Sequence, residues 1–129
     1  MPPASSPQVG APFKMELSSR DGIHKGWMGI LRQGIAWPAV CVANREDAVV
    51  IEEREGRLYI LSGTNYCLAP SFHGYVGFYD QPNGTPWTLS PDGRFHSDYT
   101  GCDLAFGQHQ LMAIDPDPNA SLIVRKEPA

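Results

Sequence analysis

Tyr66-Cys-Leu-Ala69 followed by Tyr75-Val-Gly-Phe78 decides the architecture, because the pattern returns as Cys102-Asp-Leu-Ala105 and Leu111-Met-Ala-Ile114. Both pairs of segments lie 36 residues apart. Just upstream, Glu55-Gly-Arg-Leu-Tyr59 matches Asp92-Gly-Arg-Phe-His96 at a spacing of 37, and residues 50–52 match 87–89 at the same spacing. Self-similarity at a fixed period marks a repeated supersecondary unit. Residues 27–30 and 38–42 form a looser copy, so the chain divides into three units, roughly 12–56, 57–93 and 94–127.

Around the repeats, short runs of Val, Ile, Leu, Tyr, Phe and Trp alternate with turn chemistry. Strands are predicted near 13–18, 27–31, 39–43, 49–53, 57–61, 66–69, 75–80, 87–90, 94–97, 102–106, 110–114 and 121–126. Glu55-Gly56, Pro91-Asp-Gly93 and Gln81-Pro-Asn-Gly-Thr-Pro86 read as turns between strands. Thirteen Gly and 12 Pro in 129 residues agree with a turn-rich chain. A helix over 46–55 capped by Asn44 is the one rival, and contiguous Ala48-Val-Val-Ile51 favours a strand. Phe13, Met15, Leu17, Val50, Leu58, Ile60, Leu89, Phe95, Leu122 and Val124 are predicted to line the barrel interior or its rim, with Leu68, Phe78, Leu104 and Ile114 in a cap.

A net charge of −4 without a Lys/Arg cluster argues against a nucleic-acid partner. The longest apolar run, 35–43, is too short to span a bilayer and contains Pro38, so no membrane partner is expected. Residues 1–11 read as a flexible lead-in without a secretory pattern, and 12–129 as one domain. Cys41, Cys67 and Cys102 form an odd set with no paired spacing, which favours free thiols and a cytoplasmic setting.

The catalytic inventory is thin. No HExxH, GxSxG or Walker-type loop occurs, so no enzyme activity, cofactor or metal is expected. His73 and His109 occupy matching loops and read as solvated. The three Cys fall among apolar neighbours and read as small buried hydrophobes. Asp115 and Asp117 flank Pro116 as turn-formers. Trp27, Trp37, Trp87, Tyr75 and Tyr79 fit a β core better than a sugar platform.

Twelve short strands in three units resemble the β-trefoil, in which six strands close a barrel and three hairpins cap one end. An irregular small barrel or sandwich is the alternative. Within trefoils the chain is similar to the fungal mycocypin and cocaprin inhibitors of cysteine and aspartic proteases, in size, acidity, unpaired Cys and long loops on a minimal barrel. That resemblance implies a reversible protease inhibitor whose first two loops enter the target's cleft. Gly22, Ile23, His24, Lys25 and Gly26 stand in the first loop, with the glycines letting backbone approach the protease. Asn44, Arg45, Glu46 and Asp47 form the second, and Asn65 occupies a loop that meets asparagine-specific proteases in some members. A glycan-binding trefoil using Trp87, Tyr75, Asn83 and Asp80 is the alternative function, and it lacks the Gln-x-Trp triplet of ricin-type lectins.

Overall fold

A computed structural model describes residues 11–31, 36–60, 66–70, 74–80 and 86–129. Twelve strands run in chain order: β1 Phe13–Ser18, β2 Lys25–Ile30, β3 Ala36–Val42, β4 Ile51–Arg54, β5 Arg57–Ile60, β6 Tyr66–Pro70, β7 Val76–Asp80, β8 Trp87–Leu89, β9 Phe95–Ser97, β10 Asp103–Phe106, β11 Met112–Asp115 and β12 Ile123–Pro128. The protein is all-β, and its only helical elements among the described residues are short 3-10 turns. In place of the rival helix over 46–55, a 3-10 turn covers only Arg45–Asp47, with no capping bond from the Asn44 side chain, and Ile51–Arg54 is strand.

One sheet runs β12-β1-β2-β3-β7-β6-β5-β4 and closes on itself where Phe13 of β1 pairs with Ile51 of β4. Closure removes the exposed edges that make open sheets prone to pairing with other chains. A second sheet runs β11-β10-β9-β8. Bridges from Leu111 to Val40, Ala113 to Tyr75 and Ser121 to Ala105 tie the second sheet's strands and their flanks to the rest of the fold.

The sequence repeat is a repeat of register. Leu68 pairs with Phe78 across the β6–β7 hairpin, and Leu104 pairs with Ile114 across β10–β11, 36 residues on. The β2–β3 hairpin supplies the third copy with Met28 opposite Cys41. Met28, Leu68 and Leu104 are fully buried, and the carbonyl of each accepts a bond from a later segment. Val49 N–H donates to Met28 and Leu122 N–H to Leu104, while Leu68 takes the indole N–H of Trp87 at 3.0 Å. A side chain thus does in the middle unit what backbone does in the outer two. The inner strands of the three hairpins also meet one another: β3 pairs with β7, Tyr75 bridges to Ala113, and Val40 bridges to Leu111.

The core follows strand alternation. Phe13, Met15 and Leu17 point inward from β1 while Lys14, Glu16 and Ser18 are half-exposed. Val50, predicted at the interior or its rim, is half-buried, and the fully inward residues of that run are its neighbours Val49 and Ile51. The period of two lets alternate residues face in, and the contiguous apolar run hid which set it was. Leu89 and Ile114 are also half-buried and pack on the core's edge. Glu55 and Gly56, with φ of 55° and 80°, close β4–β5 in the left-handed two-residue turn that matches strand twist. Among the described residues no helix is long and apolar enough to cross a membrane.

Candidate functional site

The β1–β2 connection is built on Ser19-Arg-Asp-Gly22. Ser19 N–H donates to the His24 carbonyl at 2.8 Å, and Gly22 N–H to the Ser19 carbonyl at 3.0 Å. The Asp21 carboxylate accepts from Ile23 N–H at 3.0 Å and from the Ser19 hydroxyl, whose oxygen in turn accepts from His24 N–H at 3.0 Å. Those donors hold the Asp21 carboxyl below its usual range, the Ser19 hydroxyl contributing most. The turn is therefore braced from within, and Ile23 stands at its tip, 73% exposed.

A groove of about 450 Å³ lies beside this turn. It is lined by Ile23, His24 and Lys25, by Cys41 and Val42 at the end of β3 with Ala43 just past it, and by Phe106, Gly107 and Gln110. The volume falls in the range of small-ligand sites, roughly 300–1,000 Å³. The His24 ring meets Phe106 edge-on at 6.3 Å between centroids. Lys25 and Gln110 are exposed, and among the described residues neither side chain has a hydrogen bond or ion pair. The Cys41 thiol is pushed up by burial, so at neutral pH it stays protonated and is a poor nucleophile. Burial raises the Cys67 thiol likewise.

The predicted loop residues separate into two groups. Ile23, His24 and Lys25 border the groove, with Gly22 beside them in open space. Gly26 has a packing role: it is buried, and a Cβ there would lie 2.5 Å from Cys41 Sγ and 2.6 Å from the Val42 carbonyl oxygen. Glycine is needed at 26 for the approach of β3. The residues of 44–47 are exposed and do not line the groove. Arg45 is occupied in the fold: its guanidinium donates to the Pro128 carbonyl and lies 5.5 Å from the Trp27 ring centre, and its carbonyl accepts from Lys14 Nζ at 2.9 Å. Asn65, His73 and Asn83 lie outside the described residues.

The aromatic reading gains detail. Trp87 is 5% exposed and stacked on Phe95 at 5.0 Å, and its N–H is used by Leu68, so it offers no face to a sugar. Trp37 is stacked on Tyr66 at 4.3 Å. A His–Asp pair also emerges: the buried carboxylate of Asp103 lies 2.9 Å from His96 Nδ1 and 3.8 Å from Arg94, binding β9 to β10. Among the described residues no three His, Cys, Asp or Glu gather as a metal site.

Sequence reasoning missed the side of the groove formed by Phe106, Gly107 and Gln110. Phe106 reads as the last residue of a strand, and Gln110 as the first residue of the strand predicted over 110–114, where the structure has a 3-10 turn instead. The available signal was an alignment of the two hairpin turns, since His73-Gly74 and His109-Gln110 are 36 residues apart and only one pair holds a glycine.

These features define a small closed-barrel β protein with a loop-rimmed groove. No protein-family model and no curated protein matches the chain. Among solved structures it is similar to a complex of lysenin with phosphocholine, at TM-score 0.63 and 16% identity over 91% of this chain and 44% of that one. It is also similar to the lysenin pore, at TM-score 0.65 and 16% identity over 100% of this chain and 56% of that one. The chain spans about half the length of each, and at such identity the likeness concerns the fold alone.

Proposed function

We propose that this chain is a non-enzymatic β-trefoil binding domain whose groove holds a phosphocholine-type headgroup. Three hairpins related by the sequence repeat, with inner strands that meet one another, support the trefoil. The observation that carries the ligand is the make-up of the groove. It sets an amine (Lys25), an amide (Gln110) and an aromatic ring (Phe106) around one space, in a chain of net charge −4. An ammonium and an amide N–H suit phosphate oxygens, and an aromatic face suits a quaternary ammonium. Phosphocholine bound to lysenin, a chain of similar fold, supports the same ligand class, and nothing of the pore is assigned here. The partner in this reading is a lipid surface, which departs from the expectation of no membrane partner drawn from the sequence. The three free thiols support a cytoplasmic setting for it.

Calorimetric titration with phosphocholine tests the reading, together with co-sedimentation on phosphatidylcholine and phosphatidylglycerol vesicles. Saturable binding that Lys25→Glu abolishes, and preference for phosphatidylcholine, are expected. Absence of binding at millimolar phosphocholine and on both vesicles overturns it.

A second reading, reversible inhibition of a papain-like or pepsin-like protease, is favoured by the β1–β2 turn. A loop braced by its own hydrogen bonds with an exposed Ile23 tip enters a cleft without an ordering penalty. Titration against both protease classes tests it, and no slowing at micromolar protein removes it.

A further inference from the structure

Gln110 occupies a backbone conformation that its residue type resists. Its φ is +66°, and that of His109 before it is +55°, so two consecutive non-glycine residues are left-handed. Such conformations are unfavourable for a residue with a Cβ, and His is tolerated better than Gln. The molecule contains the easier solution. Thirty-six residues earlier the matching position in the β6–β7 turn is Gly74, with φ of +82° and nothing near its missing side chain.

The Gln110 turn is held in place on both sides. Gly107 N–H donates to the Leu111 carbonyl at 2.7 Å and Leu111 N–H to the Gln108 carbonyl at 3.0 Å. Gly107 packs so closely that a Cβ would lie 2.9 Å from the Leu111 oxygen and 3.1 Å from the Tyr75 ring. Gln110 lines the groove and is exposed, and its side chain has no hydrogen-bond partner among the described residues. Retained strain beside a cavity points to use of the side chain.

We infer that Gln110 is the specificity-determining contact of the groove, its amide N–H donating to a phosphoryl oxygen of the ligand. This rests on the headgroup reading above and deepens it, making Gln110 rather than Lys25 the contact that sets specificity, whether the phosphoryl group comes from a lipid headgroup or from free phosphate.

Two variants separate the parts of the claim. Gln110→Gly removes amide and strain together, whereas Gln110→Ala removes the amide and keeps the strain. Both are expected to weaken binding of phosphocholine and of inorganic phosphate by about tenfold, the effect of one hydrogen bond to a charged group, and to leave any choline binding unchanged. Thermal unfolding should move differently: Gln110→Gly raises Tm by about 2–4 °C and Gln110→Ala does not. Phosphatidylcholine vesicles losing to free phosphate in competition identify the soluble ion as the source, and the reverse identifies the lipid. Wild-type protein that binds neither probe overturns the headgroup reading, and the inference with it. Wild-type binding that both variants retain overturns the inference alone, as does a lower Tm for Gln110→Gly.

Discussion

Two turns of this molecule use one device for different ends. Ser19-Arg-Asp-Gly22 and Ser90-Pro-Asp-Gly93 both have a serine hydroxyl donating to the aspartate two residues on, and both glycines have left-handed φ, +77° and +91°. Each serine oxygen then accepts the backbone N–H that closes the turn. In the second turn that donor is Arg94, four residues on; in the first it is His24, five residues on. The additional residue is Ile23, and it is pushed into solvent. The shorter turn is pressed into the fold instead, with Gly93 against Ile123 and its carbonyl accepting from Val124 N–H at 2.8 Å. One inserted residue converts a packing element into a presented loop beside a groove.

The largest expected contrast comes from alanine at the two glycines. Gly93→Ala places a Cβ 2.7 Å from Ile123 Cγ2, a stiff β-branched side chain, on top of the strain of φ +91°. Strain and overpacking together should destabilise by about 2–4 kcal/mol in urea unfolding. Gly22→Ala meets nothing within 4 Å and carries only the strain, about 1 kcal/mol. Equal losses at the two sites would break the comparison.

Acid should act on both turns in the same direction. Asp21 and Asp92 are both held below the ordinary 3.8, in each case chiefly by the serine hydroxyl. A carboxyl whose folded pKa is depressed adds stability above its unfolded pKa and loses that contribution as pH falls through the folded value. The urea midpoint should therefore fall as pH drops below about 4. The double variant Asp21→Asn/Asp92→Asn should start lower at pH 6 and show a shallower acid decline. An unchanged acid slope would mean that other carboxylates carry it.

The architecture was more legible than the site, for a physical reason. Strand existence follows from apolar runs and turn residues, and all twelve predicted segments correspond to strands because each is bounded by local chemistry such as Glu55-Gly56 or Pro91-Asp-Gly93. Which way a contiguous apolar run faces is a matter of register, so the run around Val50 does not reveal that Val49 and Ile51 are the buried pair. The loop 22–26 was found by its glycines, yet the two glycines differ: Gly22 serves a turn and Gly26 a close strand contact that only the fold reveals. The groove is assembled from segments 23–25, 41–43 and 106–110, and their meeting depends on how the hairpins pack. Nothing local to Phe106 or Gln110 encodes it.

The smallest expected change in stability is at Ile23, where the comparison with Ile123 is sharpest. Ile123 is half-buried and receives Gly93, whereas Ile23 is 73% exposed and its backbone N–H alone serves the turn. Ile23→Ser keeps that N–H and should leave unfolding within about 0.5 kcal/mol of wild type. Its functional effect then divides the two proposed readings. An inhibitory loop that inserts its tip loses protease binding when the apolar side chain goes, because the buried apolar area is lost from the interface. A headgroup site centred on Lys25, Gln110 and Phe106 keeps its affinity for soluble phosphocholine, since Ile23 contributes wall and no polar contact. Retained phosphocholine binding by Ile23→Ser, with loss in Lys25→Glu, would place recognition inside the groove; the opposite pattern would place it at the tip of the longer turn.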